Sequence, residues 1–199
     1  MTVIAIVRWM TRPMTSAAVV RKLVRTLEVN EVHYVLVGAL ATNVYGLPRA
    51  TGDADFVIVF KSGVLSRIEN DLGSEFSVDP QLMLEVLTGT LRNQITHRPS
   101  EFVANLFRLG SDPHHQRLFE RRVRASLPEI RVSVWIPTAE DIIIQKLRWA
   151  RRKDEDDIVN VLSVQGDHLD RNYLEEWTTI HGTQELLQKL QAEVPDTLP

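Results

Sequence analysis

Val19, Val20, Leu23, Val24 and Leu27 recur at helical spacing, and Thr15 or Ser16 is placed to cap the start, so the pattern predicts a helix over about 15–29. The pattern then changes. Tyr34 to Gly38 is a short continuous run of aromatic and β-branched residues ending on glycine, which reads as a buried strand. Ala39 to Tyr45 suits a short helix stopped by Gly46-Leu47-Pro48, and Ala54 to Phe60 reads as the next strand, with Asp53 and Asp55 at its beginning. Helices are expected over 64–72 and 80–87, and strands over 93–97 and 101–109 joined by a turn containing Pro99. A helix over about 114–125 and a strand over 131–136 follow.

Pro137-Thr138-Ala139-Glu140-Asp141 marks another helix start, because Thr138 can accept from the amide of Asp141 while the acidic side chains favour the positive helix end. That helix is expected to reach about Arg152. Asp154 is then read as the cap of a further helix carrying Ile158, Val161 and Leu162, and 173–190 as a final helical region. This order describes an α+β fold, a mixed β-sheet flanked by helices with a helical C-terminal part. It divides into a loose extension over 1–13, an α/β core over 14–136 and a helical region over 137–199 packed on that core.

Composition narrows the chemistry. The 199 residues suffice for one well-buried core and a small appendage. A formal charge of -3 gives no global attraction to nucleic acid or anionic membrane, so any phosphate-binding surface must be a local cluster of Lys and Arg. With Cys 0, disulfides, a disulfide-linked partner, thiolate metal sites and a cysteine nucleophile are excluded. The apolar stretch from Thr2 is interrupted at Arg8, too short for a signal-peptide core or a bilayer span, and the expectation is a cytoplasmic protein with no membrane partner. His114-His115 has no further ligand at metal spacing and is expected at the surface. Helical spacing sets Arg117, Arg121 and Arg124 on one side, a candidate face for an RNA acceptor together with the run from Arg148 to Lys153.

The most informative stretch is 38–60. Strand side chains alternate, so Asp53 and Asp55 project to one side, where a divalent cation relieves their mutual repulsion. By itself an Asp-x-Asp at a strand start is more often a pair of solvated residues. Its surroundings decide here. Val37-Gly38-Ala39, a short spacer and Asp53-Ala54-Asp55-Phe56 resemble the signature of the nucleotidyltransferase superfamily, an apolar residue, glycine and a small residue followed by Asp-x-Asp on a strand. Arg49-Ala50-Thr51-Gly52-Asp53 resembles the Arg-x-Thr-x-Asp form of bacterial toxin-antitoxin, abortive-infection-like nucleotidyltransferases. A second block is similar to the same family: Pro137 to Ile143, Lys146-Leu147, and Lys153-Asp154 through Asp157-Ile158. The resemblance runs from about Leu27 to Leu162.

The resemblance implies a nucleotidyltransferase-like α+β fold and a nucleotidyl transfer. Gly38 and Ala39 would let the chain approach a nucleoside triphosphate, and Asp53 and Asp55 would hold Mg2+ or Mn2+. A hydroxyl on an RNA end or a protein side chain would attack the α-phosphorus and expel pyrophosphate. A cognate antitoxin protein is an implied partner. Arg49, Thr51 and Lys146 are further candidates for nucleotide contacts. Arg49 reads as a phosphate contact ahead of a residue tying its loop down, and Lys146 as partnered by phosphate or Asp, or snorkelling to solvent. Two positions depart from the family. Ala39 stands where Gly or Ser is usual, and Asn105 falls where many relatives place a third carboxylate; Asn offers an oxygen but accepts no proton. They leave a second reading open, a degenerate domain that binds nucleotide or a partner without turnover.

Overall fold

The computed structural model describes residues 14–86 and 89–195, so the expected extension over 1–13 lies outside the described residues. In chain order the elements are α1 (Ser16–Val29), β1 (Tyr34–Val37), α2 (Gly38–Tyr45), β2 (Asp53–Ile58), α3 (Val64–Leu72), β3 (Phe76–Glu85), β4 (Thr90–His97) and β5 (Phe102–Arg108). There follow α4 (Pro113–Arg121), β6 (Val123–Leu127), β7 (Val132–Ile136), α5 (Ala139–Trp149), α6 (Arg152–Gln165), α7 (Arg171–His181) and α8 (Gln184–Ala192). Five strands form one mixed sheet in the order β1-β2-β5-β4-β3, with β2 and β5 parallel and the other neighbours antiparallel. The fold is α+β.

Alternation along the strands builds two cores. Tyr34, Leu36, Phe56, Ile58, Ala104 and Leu106 point to one face and pack with α1, α3 and the β6–β7 hairpin. Val35, Val37 and Val57 point to the other, where Leu118 and Phe119 of α4 cover them. A separate apolar cluster joins α5, α6, α7 and α8 through Ile143, Leu147, Ile158, Val161, Leu174 and Leu190. Asp53 and Asp55 belong to the α4 side of β2, beyond the part that α4 covers.

Several expectations need correction. The segment from Pro80, expected as a helix, is part of β3, paired with β4 around a register shift between Asp79 and Met83. Leu82 and Leu84 alternate with Met83 and Glu85 along it, and the bulge accommodates Pro80, which has no amide for a ladder. Asp154 does not cap α6. Arg151 holds the cap position, and the Asp154 carboxylate faces back to accept from the Arg151 guanidinium at 2.6 Å. The last helical region breaks at Gly182, whose φ of 65° ends α7.

The larger correction concerns His114 and His115, expected at the surface and found buried at 0% and 5% exposure. Asp112 caps α4 by accepting from the amide of His115, with Pro113 in the first turn, and this orients both imidazoles toward the C-terminal helices. His114 lies 3.2 Å from Asp141 and packs edge-on to Trp177. His115 faces Gln145, and Asp112 takes two bonds from Arg148. Desolvation holds His115 and His181 down at about 4, in both cases with Arg148 adding to the effect. These groups are neutral in the folded state and protonate near 6.5 in the unfolded chain. The stability they confer is therefore complete above pH 6.5 and is lost as pH falls from 6.5 toward 4, with up to about 3 kcal/mol from the buried His115. Asp112, held well below the usual range by Arg148, adds a loss that begins only below the ordinary carboxylate pKa. Urea midpoints measured between pH 7.5 and 4.5 are expected to fall, and His115→Gln to flatten the fall; a midpoint constant over that range contradicts the assignment.

Candidate functional site

The site forms where β1 ends and β2 begins. The register pairs Val37 with Asp55, so the turn into α2 lies beside the Asp55 carboxylate. Gly38 opens α2 with φ 68°, and a Cβ there would stand 2.6 Å from Asp55 Oδ2. Glycine is required twice over, for the left-handed backbone and for the space. The first amides of α2, Gly38 and Ala39 among them, have no partner within the helix and open beside this carboxylate. Thr42 ties the helix back by donating to the Gly38 carbonyl at 3.0 Å.

Asp53 is exposed and Asp55 half-buried on the same face of β2. Thr51 Oγ1 donates to Asp53 Oδ1 at 2.8 Å. Asn105, directly across in β5, donates its amide to Asp55 Oδ1 at 2.8 Å, and Arg92 of β4 donates to Asn105 Oδ1 at 2.6 Å. Desolvation raises the Asp55 pKa; the Asn105 bond opposes this, the Asp53 charge adds to it, and Arg92 and Lys153 work against it. Among the described residues no group of three or more His, Cys, Asp or Glu is placed to hold a metal ion. Two carboxylates still fit magnesium, which is commonly held by one or two carboxylates and completed by phosphate oxygens and water.

Arg49 and Lys146 are engaged elsewhere. Arg49 forms a fork on Asp157 at 2.7 and 2.9 Å, and Asn43 bonds the Arg49 backbone in both directions. Lys146 is 4% exposed; it does not snorkel but donates to Asp157 at 2.6 Å and Asp154 at 3.2 Å. Three arginines of the basic face expected for RNA are internally paired: Arg117 with Glu120, Arg121 with Glu140 and Asp141, and Arg124, on β6 and not on α4, with Glu28.

No family profile and no curated protein matches the chain in sequence. Solved structures do resemble it. ANT(2″)-Ia in complex with adenylyl-2″-tobramycin superposes with a TM-score of 0.56 at 12% identity, over 85% of this chain and 98% of that one. An antigenic nucleotidyltransferase-like protein from Paracoccidioides brasiliensis superposes with a TM-score of 0.55 at 19% identity, over 91% and 95% of the two chains. The chain has the nucleotidyltransferase fold. Within that fold, reading the sequence missed Arg92, whose only mark was an arginine in a strand. It also missed Asp157 as the anchor of Arg49. The spacing of Lys146, Asp154 and Asp157 on successive helices was the available signal. Among the described residues no helix is long and apolar enough to cross a membrane.

Proposed function

We propose that the protein transfers a nucleoside monophosphate from a nucleoside triphosphate to an acceptor oxygen, in a reaction that needs magnesium or manganese. The observation that carries this reading is Gly38, shaped so that the open amides of α2 stand against the carboxylate of Asp55, with Asp53 beside it. The amides of Gly38 and Ala39 bind the phosphates, and Asp53 and Asp55 hold the cation. Bound there, the cation neutralises charge on the triphosphate and polarises the α-phosphorus. The acceptor oxygen forms a bond to that phosphorus as the bond to the bridging oxygen breaks and pyrophosphate leaves, a step won by positioning and charge neutralisation. Thr51 orients Asp53, and Arg49 and Lys146 act one step back, through Asp157. ANT(2″)-Ia holds an adenylylated small molecule, which supports nucleotidyl transfer as the class of reaction. An RNA end or a protein side chain as the acceptor is what the motif resemblance implies, and three arginines of the basic face considered for RNA are paired with carboxylates. A role beside a cognate antitoxin rests on the motif resemblance.

A second reading is favoured by Asn105, whose amide occupies an oxygen of Asp55: a domain that binds nucleotide without turnover. Incubation with α-labelled nucleoside triphosphates, metal and fractionated cell extract separates the two. Label moved to an acceptor and stopped by chelation establishes the enzyme. Metal-dependent nucleotide binding with no transfer to any fraction establishes the binding domain.

A further inference from the structure

We propose that this site takes an acceptor that is already an oxyanion, a phosphate or a carboxylate, held by Arg92. The inference rests on the nucleotidyl-transfer reading above. Across the sheet from Asp55 the register runs Asp55, Asn105, Gln94, Asp79, one row on one face. Beside Asp55 that row offers the Asn105 amide, with the Arg92 guanidinium fixed to its oxygen and lying over the Phe107 ring at 5.8 Å. Lys153 and Arg151 also act electrostatically on Asp55, from the start of α6.

A neutral hydroxyl attacking phosphorus must give its proton to a group in hydrogen-bond reach. An amide and a guanidinium accept none. The remaining carboxylates of the sheet on this side are set back from Asp55 and already engaged. Asp79 lies two strands from Asn105, about 10 Å, and accepts from the Gln81 amide. Glu85, opposite Thr90, stands one strand over and two residues along from Arg92, about 8 Å, and is engaged electrostatically by Arg151. An ionised acceptor has no proton to lose. Its difficulty is repulsion by Asp53, Asp55 and the triphosphate, which a fixed cation offsets. The bond to Asn105 uses one N–H of the five on Arg92, and the planar fork matches phosphate and carboxylate geometry. In the step, an anionic acceptor oxygen supplies the electron pair for the new bond to the α-phosphorus, and pyrophosphate leaves with the pair of the broken bond. The product is an anhydride: phosphoric from a phosphate, mixed carboxylic-phosphoric from a carboxylate.

The test uses the full chain, a nucleoside triphosphate and magnesium, with phenyl phosphate, benzoate and benzyl alcohol as probes of matched apolar body. Acceptor-dependent pyrophosphate release is the readout, and equilibrium dialysis of the nucleotide is measured in parallel. One of the two anions is expected to stimulate release at least about tenfold more than benzyl alcohol, the worth of a charge-assisted hydrogen bond. Which anion does so tells phosphate from carboxylate. Arg92→Gln should abolish the preference with nucleotide binding retained, and Arg92→Lys should restore part of it. Equal or better stimulation by benzyl alcohol overturns the proposal, as does the absence of stimulation by both anions in a protein that binds nucleotide, or a preference that survives Arg92→Gln. Nucleotide binding that ignores magnesium and Asp55→Ala instead removes the parent reading, and the proposal with it.

Discussion

Gly38→Ala is expected to lower both metal-dependent nucleotide binding and label transfer by roughly hundredfold or more, the effect of misplacing a reacting group by about an ångström. The added methyl would stand 2.6 Å from Asp55 Oδ2, with the backbone at φ 68°. Relief comes only by rotating the Asp55 carboxylate or by shifting the first turn of α2, and either change separates the amides from the carboxylate. The left-handed backbone adds a strain of about 1–2 kcal/mol for alanine, small beside the functional loss. Asp55→Ala, which clears the clash and removes the ligand, should abolish binding as completely while leaving the melting temperature near wild type. The double variant should be no worse than Asp55→Ala alone, since both act on one contact. A Gly38→Ala protein that binds nucleotide normally would place the phosphates elsewhere and defeat the assignment of the α2 amides.

The part of the site visible in the sequence is the part set by local geometry. Alternation along a strand places Asp53 and Asp55 together whatever else the chain does, and a glycine closing an apolar strand signals a special backbone at Gly38. The strand order was not legible, because the pairing of β2 with β5 brings together residues 50 positions apart, Asp55 and Asn105. The family register made Asn105 suspect, yet nothing local predicted that Arg92 would fix its oxygen. The burial of the histidines is hidden from the sequence for a related reason. A His-His pair after Pro113 looks polar and exposed, and only the packing of α4 against α5 and α7 turns it inward. The segment from Pro80 is a different case: the alternation of Leu82, Leu84 and Val86 carries the strand signal in the sequence itself.

The buried charges that hold the site in place belong to the helices behind it. Asp157 of α6 accepts from Lys146 of α5 and from Arg49, and Arg49 stands two residues before Thr51, the partner of Asp53. The arrangement carries the packing of the C-terminal helices to the loop ahead of the first aspartate. It explains why a lysine is tolerated at 4% exposure: two carboxylates, Asp154 and Asp157, are within hydrogen-bond distance of it. It also explains the direction of the Asp157 shift, in which burial raises the pKa but the bonds from Arg49 and Lys146 carry it below the usual range.

Asp157→Ala is therefore expected to cost about 3–5 kcal/mol, because it leaves Lys146 buried with half its compensation and frees Arg49 as well. For a chain of this size that corresponds to a melting temperature lower by roughly ten degrees. Arg49→Ala should cost about 1 kcal/mol or less, since the arginine side chain is 39% exposed, yet it removes the fork on Asp157 that tethers the loop. Its effect should appear in transfer rather than in stability, as a lower rate at saturating nucleotide with Asp53 less well placed. Replacing Lys146, Asp154 and Asp157 together by Met, Leu and Leu separates the value of the pairing from the penalty of an orphaned charge. If the loss in Asp157→Ala is the orphaned lysine, the triple variant regains most of the stability while transfer stays low, because Arg49 still has no anchor. Recovery of both would mean that the loop needs no ionic tether; recovery of neither would mean that the helices depend on the ion pairs themselves.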